Sequence, residues 1–587
     1  IMNRNTNARF SNVPTSTIPR YKRDLGYHMK DITLKHGRLT PWYTRLVYPH
    51  SNLKMDMNNF IRMDTSVKVP LDEIYLDNYF FFVPLRIILG KDRFEKILGH
   101  KTAYDTNTYN FPMLHLQADT SDGQYPGVFF MNHDSLIQYM GYGALTGADS
   151  GLATWTQVGS GVTTQYQKGV DEVVNALNLA AFYVVYNEYF RDENLDPEFP
   201  VDDLLTGNVY LSDLYKANSL WDAFRCPKVN RYHDIFSSGL ISPIKGANGD
   251  VTIPLGFSQL PVVTGGDIDS VVGSNFGPLK FKQQYSTSDA INGPLSTSSG
   301  FVVVDGSTAG SPVQGVFPGN LWADASAATG PSVRQLYNSL ALFSLYDKRG
   351  TFGTRLIEQI RGSFGLEVPD GLVDRAEYLG GSNQSLNNIP VLNTTSVDAG
   401  SMVGNSVTLT GMNSFDKGFN EWGIVIGMSC TRIKHSYPQG IQDPTWILYD
   451  NLDLYWPEFA NIGKVAIDEC RICNTGGRGG VFNYNDPHID QDTEMDSTAG
   501  DFGPFRAGSN DLANYWSYQD IYPTTPSFNA GWLKEDNSRI AGTLTSTLIP
   551  YASDPRGHQF MVRYNFHSQL TIAKPLHPHA PNITGRI

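Results

Sequence analysis

Over several stretches of the chain apolar and polar residues alternate, or apolar residues run together in short blocks bounded by turn formers, and both patterns predict strands. Leu39–Tyr48 and Leu53–Ile61 are two such runs, parted by the turn-like Pro49-His50-Ser51-Asn52. Glu73–Val83 (EIYLDNYFFFV) is the strongest strand, rich in aromatics and closed by Pro84. Trp422–Ile433 (WGIVIGMSCTRI) reads as a buried strand, whereas Phe560–Ile572 (FMVRYNFHSQLTI) alternates as one buried on a single face. Helical spacing is confined to four places: Arg86–Leu98, Val170–Phe190, Val333–Tyr346 and Thr354–Phe364, the last two split by Asp347-Lys348-Arg349-Gly350. Residues 1–35 carry Pro14 and Pro19 and read as an extended arm. From Gly256 to Pro331 the composition shifts to Gly, Ser, Thr and Asn, which predicts an exposed excursion with one short strand at Phe301–Asp305. The pattern as a whole predicts a mainly β, loop-rich protein.

Composition sharpens this picture. Charged residues are only 18% and aromatics 12%, the opposite of a disordered chain. Four cysteines in 587 residues are too few for a disulfide framework. Cys470-x-x-Cys473 has no second close pair of ligands to complete a zinc site, so buried thiols are expected. The first twenty residues are polar and do not read as a secretory leader, so none is expected, and the most apolar stretches, Tyr79–Leu89 and Leu177–Val185, fall short of the ~20 residues that span a bilayer.

Charge is unevenly placed. Residues 1–50 hold nine Lys and Arg against Asp24 and Asp31, a net +7, and the remainder holds 36 basic and 56 acidic groups, a net −20. A basic arm on an acidic body points to contact with a polyanion, and Arg4, Arg9, Arg20, Lys22 and Arg23 are the candidate nucleic-acid-binding residues.

No catalytic constellation stands out. The chain has no Lys-bearing phosphate loop, dinucleotide fingerprint, Gly-x-Ser-x-Gly elbow or His-Glu-x-x-His helix. The acidic run Asp486, Asp490, Asp492, Glu494, Asp496 departs from calcium-loop spacing and reads as a solvated loop. Asp192 and Glu193 adjoin Arg191 at a helix end, where capping or ion pairing outweighs acid–base work. His577-x-His579 has no acidic partners nearby. No cofactor and no metal are expected.

Asn187-Glu188-Tyr189-Phe190-Arg191-Asp192-Glu193-Asn194-Leu195 and Arg231-Tyr232-His233-Asp234-Ile235-Phe236-Ser237-Ser238, the latter followed by Pro243, Lys245-Gly246 and Ile253-Pro254-Leu255-Gly256, resemble in order segments of the major capsid proteins of microviruses, especially the gokushovirus-like branch. Gly353-Thr354-Arg355, Phe364-Gly365, Arg375-Ala376-Glu377-Tyr378-Leu379-Gly380-Gly381, Trp422–Gly427, Tyr437-Pro438-Gln439-Gly440 and Tyr455-Trp456-Pro457-Glu458-Phe459 continue the resemblance, and Phe80–Pro84 with Arg86 opens it. The chain departs from the family at Asp347–Phe352, at Trp422 where a His is usual, and at Lys464-Val465.

The resemblance implies an eight-stranded antiparallel jelly roll with large loop insertions containing several helices. Residues 1–36 would be a basic arm and residues 37–587 a single capsid domain, with 256–331 as a surface protrusion. It implies a non-enzymatic capsid subunit of a bacteriophage, assembled in the host cytoplasm as a 60-copy T=1 icosahedral shell around circular single-stranded DNA. Its implied partners are its own copies, a small DNA-binding protein, a pilot protein, an internal scaffolding protein and a host-cell receptor, without a membrane. The protrusion would meet its copies at threefold axes, burying Phe301, Val302, Val303, Val304, Val313 and Phe317. The residues alone leave one alternative, a β-sandwich that binds or cleaves carbohydrate with aromatics as sugar platforms.

Overall fold

The computed structural model describes residues 20–63, 65–66, 70–99, 109–115, 136–142, 173–205, 226–244, 332–386, 407–409, 413–460, 462–474, 479–503, 517–536, 540, 543–545 and 559–573, together with short isolated strands elsewhere. Eight long strands carry the architecture: β1 (Arg20–Leu34), β2 (Thr40–Val47), β3 (Ser51–Met63), β4 (Ile74–Pro84), β5 (Glu377–Leu386), β6 (Asn413–Phe419), β7 (Gly423–Ile433) and β8 (Phe560–Ala573). They pair antiparallel in two sheets, β1-β8-β3-β6 and β5-β4-β7-β2, with the short strand Val407–Leu409 also on β3. Each strand of the first half thus neighbours its mirror in the second: first with eighth, second with seventh, third with sixth, fourth with fifth. That is jelly-roll order, in which a long antiparallel ribbon is wrapped until its two layers face each other.

The alternation in β3 shows why the layers close. Leu53, Met55, Met57, Asn59 and Ile61 are buried while Lys54, Asn58 and Arg62 between them are exposed, so one face points inward. Aromatic contacts cross between the sheets. Trp42 on β2 stacks on Tyr564 of β8 with ring centroids 4.3 Å apart, Phe80 on β4 meets Phe415 of β6 at 5.1 Å, and Phe82 meets Phe419 at 4.7 Å. β4 and β7 are buried almost throughout because their outer face is covered too. There helix α1 (Leu177–Val185) packs against both, and Tyr189 and Phe190 stand over Phe81 and Tyr79. This double cover explains their apolar runs Tyr79–Val83 and Ile424–Met428.

The expected helix over Val170–Phe190 is shorter. Val173–Asn175 is a strand paired antiparallel with Met113–His115, and α1 starts only at Leu177, whose backbone N–H donates to Asn175 Oδ1 at 2.7 Å. After α1 the chain widens into a π-helical turn, Tyr186–Phe190. The helix expected over Arg86–Leu98 is two, Leu85–Leu89 and Lys91–Leu98, broken at Gly90 with φ +75°. Helix α2 (Val333–Phe352) runs straight through Asp347-Lys348-Arg349-Gly350, and the break before α3 (Leu356–Phe364) falls instead at Gly353, φ +97°.

Residues 244–348 form a compact unit separate from the rest of the chain. Within it three strand pairs nest: Val262–Thr264 with Leu321–Ala323, Phe281–Gln283 with Val316–Pro318, and Leu295–Ser298 with Phe301–Val304. The strand expected at Phe301–Asp305 is therefore present as Phe301–Val304, in the innermost of the three pairs of this antiparallel finger.

Candidate assembly and nucleic-acid surfaces

The family-like segments meet one another in the fold. Glu193 accepts hydrogen bonds from the Thr354 backbone N–H at 2.9 Å and its hydroxyl at 3.1 Å, and Arg355 donates to the Asn187 and Arg191 carbonyls at 2.9 and 3.0 Å. Asn187–Leu195 is thereby clamped to Gly353-Thr354-Arg355. Asp192 accepts from the Asn194 and Leu195 N–H groups, a turn-forming role rather than an acid–base one. In the segment Arg231–Ser238, Asp234 accepts from Phe236 N–H at 2.9 Å and from the Tyr437 hydroxyl at 2.7 Å, which ties it to Tyr437–Gly440. Tyr232 donates to Asp77 on β4 at 3.0 Å, and Arg432 of β7 donates to the same carboxylate at 2.7 Å while lying 4.0 Å above the Tyr232 ring. Gly440 is required by space: a Cβ there would stand 1.8 Å from the Arg471 carbonyl oxygen.

A second network is largely buried. His435 sits between Glu535 and Asp520, His36 Nε2 lies 3.5 Å from Glu535, and Arg231 pairs with Asp520 while resting on the Trp532 ring. Burial alone would lower the His435 pKa, but the facing carboxylates outweigh it and raise the group to about 9. Burial likewise opposes ionisation of Asp520, yet His435 and Arg231 hold its carboxyl at about 2.

The outward face of β1-β8-β3 is open. Its cross-strand rungs include Asp31–Arg563–Phe60, Tyr27–His567–Asp56 and Lys22–Thr571–Asn52. Tyr27 stacks on His567 at 4.5 Å, the Arg62 guanidinium lies 5.3 Å over Phe60, and Arg563 forks onto Asp31 at 2.7 and 2.9 Å. A recess of about 640 Å³ opens here, lined by Lys30, Arg62, Arg563, Phe60, Gln138 and Tyr139 among others. Lys30 donates to the Tyr139 carbonyl, and burial lowers its pKa to about 8.

Of the expected nucleic-acid residues, Arg20, Lys22 and Arg23 lie on β1, so the arm becomes an edge strand from Arg20 onward. Arg20 donates to the His50 carbonyl at 2.8 Å, and all three are exposed. Arg4 and Arg9 lie outside the described residues. Phe301–Val304 and Phe317 lie on strands of the finger, and Val313 lies outside the described residues. The four cysteines are reduced thiols, and all are buried. Asp486 pairs with Lys464 at 2.7 Å, and among the described residues no group of three acidic, His or Cys side chains is placed to hold a metal ion. Among them, too, no helix is long and apolar enough to cross a membrane. His577 and His579 fall outside the described residues.

Sequence reasoning missed the large uncovered apolar surfaces, at α2, at α3 and along residues 443–462. The signal was present in the aromatic density of Trp446–Phe459, most of whose rings stay exposed.

A jelly roll whose distinctive motifs are clamps within its own fold, and which leaves wide apolar surfaces bare, is a structural protein built to be covered by other protein. The comparisons give the class its family. The model of the family described as capsid protein (F protein) matches residues 11–122 and 153–565, and the chain belongs to that family. It is 28% identical over 560 residues to capsid protein VP1 of Spiroplasma virus 4, with 91% of each chain covered. It is 27% identical to capsid protein VP1 of Bdellovibrio phage phiMH2K, with 92% of each covered, and 26% identical to that of Chlamydia phage 1, with 97% of this chain and 93% of the relative covered. The protein is a microvirus major capsid protein: structural, non-enzymatic, self-assembling and part of the virion. The carbohydrate alternative is set aside.

Proposed function

We propose that sixty copies close into a T=1 icosahedral shell around the circular single-stranded DNA of a bacteriophage. The observation that carries the genome side of this reading is the open face of β1-β8-β3. Lys22 and Arg62 share that face with Tyr27 and Phe60, so cations able to meet phosphate stand beside flat rings on which unpaired bases stack, while Arg563 is held by Asp31 and Lys54 lies 4.0 Å from Asp56. The basic arm, with Arg4, Arg9, Arg20, Lys22 and Arg23, leads into the edge of that sheet, which faces the interior in this reading. The body is acidic overall, so packaging draws on a small basic DNA-binding protein; a pilot protein and an internal scaffolding protein complete the set. Four reduced, buried thiols suit assembly in the host cytoplasm. The finger within residues 244–348 projects outward at the threefold axes, where Phe301–Val304, Val313 and Phe317 of three copies pack together, and its rim meets the host receptor.

Electron cryomicroscopy of particles from expressing cells tests the shell, and nuclease digestion of their opened contents tests the genome. Sixty-subunit particles holding nuclease-sensitive single-stranded circles are the expected result. Shells of another copy number, or particles holding only RNA, would sink the reading.

A further inference from the structure

Two surfaces of the chain are apolar, exposed and oppositely charged. The first is helix α2, whose 20 residues include none that is buried. Val333, Leu336, Tyr337 and Leu340 recur at the i, i+3, i+4, i+7 spacing of one helical stripe, and all four are exposed, Val333 and Tyr337 by 69% and 68%. A helix in a protein owes most of its stability to packing an apolar stripe against a neighbour, and this stripe lies open to solvent. The helix carries Arg334, Lys348 and Arg349 against Asp347, a net +2.

The second surface is the segment 443–462. It exposes Trp446 by 76% and Tyr449 by 69%, and Leu452, Tyr455, Trp456 and Phe459 are exposed as well. The segment is braced with these side chains outward. Asp443 accepts from Thr445 N–H at 2.9 Å, Asp450 from Leu452 N–H at 2.8 Å, Asp453 from Tyr449 N–H at 2.7 Å, and the Trp456 indole donates to the Asn451 carbonyl at 2.6 Å. It carries Asp443, Asp450, Asp453 and Glu458 and no Lys or Arg, a net −4. Five aromatic side chains about half exposed present on the order of 500 Å². That is more than half of the roughly 800 Å² each partner buries in a stable interface.

We propose that segment 443–462 of one copy packs on the α2 stripe of a neighbouring copy. The contact is heterologous: two different patches, each on every subunit, join head to tail, which is how identical subunits close into rings. Charge fixes the choice of occupant. Two copies of the acidic segment repel each other, as do two copies of the basic helix, whereas the cross pairing brings −4 to +2 around an apolar centre. The proposal rests on the capsid reading, and it adds which surfaces make a shell contact.

Cysteine cross-linking in intact particles tests it. The four native thiols are buried, so introduced cysteines dominate oxidation. Leu340→Cys together with Trp446→Cys should give covalent dimers and higher chains on mild oxidation, and neither substitution alone should. Independently, Arg334→Glu and Glu458→Arg should each lower particle yield about tenfold, and the double exchange should restore it to within about threefold. Particles that form normally with both single reversals, and that give no cross-link, would overturn the contact while leaving the capsid reading intact. A native chain that forms no closed particles would instead sink the capsid reading. Should a charge variant lose its strand signal in circular dichroism, the cross-link in otherwise native particles still decides.

Discussion

His435 Nε2 lies 3.0 Å from Glu535 Oε2, and on the other side of the ring Nδ1 lies 3.2 Å from Asp520, so a largely enclosed imidazole bridges a buried and a part-buried carboxylate. The bridge joins the end of β7 to residues 520–535, far away in sequence. Because the folded pKa of about 9 exceeds the ordinary 6.5, this group stabilises the fold fully below about pH 6.5 and loses its contribution as pH rises through 9. Asp520, held at about 2, contributes above about pH 4 and loses its contribution as pH falls through 2. Thermal unfolding of the dissociated subunit should therefore be flat from about pH 5 to 7 and fall steeply towards pH 10. His435→Ala should cost about 3 kcal/mol at neutral pH by removing the cation that Glu535 and Asp520 share, and should flatten the alkaline limb. An alkaline limb that is unchanged in this variant would place the titrating group elsewhere.

Glu193 and Thr354 are 161 positions apart, yet one carboxylate accepts two hydrogen bonds at that junction. Glu193→Ala should cost about 2 kcal/mol, since two polar groups in a half-buried site lose their acceptor. Glu193→Gln, which keeps an acceptor oxygen, should cost less than half of that. Gly440→Ala is harsher, because the added methyl overlaps a backbone oxygen and not a movable side chain. It should lose more than about 3 kcal/mol or prevent soluble expression. Chemical denaturation of the three variants ranks them, and equal costs for Ala and Gln at 193 would refute the clamp.

The strands with a buried face were legible because burial leaves a periodic trace. β3, β4, β7 and β8 fall within a few residues of where alternation or an apolar run places them. β1 was not legible as a strand. RYKRDLGYHMK is exposed on both sides and interrupted by a bulge at Asp24/Gly26, so no alternation marks it, and the composition reads as an arm. The start of α1 was missed because Val173 and Val174 fit a helical stripe by chance, while the deciding feature is one Asn175 side chain. The motifs were visible as words, but their pairings were not. Nothing local in Asp234 announces Tyr437, or in Asp77 announces both Tyr232 and Arg432.

Replacing Arg4, Arg9, Arg20, Lys22 and Arg23 together by Ala should reduce packaged DNA and make particles lose it at lower salt than native ones. Each phosphate contact removed lessens the electrostatic share of binding. Because Arg20 also holds the His50 carbonyl, a control retaining Arg20 separates loss of DNA contacts from loosening of the β2–β3 turn. DNA content per particle, measured by absorbance ratio across a salt series, reads the effect. Packaging and salt response identical to native in both variants would leave the arm as a tether between protein surfaces.

Deleting Ser270–Ala309 removes the tip of the finger but keeps its base, since Val262–Thr264 still pairs with Leu321–Ala323. The cut takes out the innermost pair, Leu295–Ser298 with Phe301–Val304, and one strand of the middle pair. The eight strands of the jelly roll all lie outside residues 244–348, so the two sheets and the contacts between them stay intact. Particles should therefore still assemble, with native sedimentation and a melting temperature within a few degrees. Adsorption to host cells should fall by at least about a hundredfold if the finger carries the receptor contact, since an attachment site built from three meeting copies is lost all at once. A variant that assembles but adsorbs normally moves receptor binding to another surface. One that fails to assemble makes the finger a structural contact at the threefold axis, with Phe301–Val304 as its buried centre.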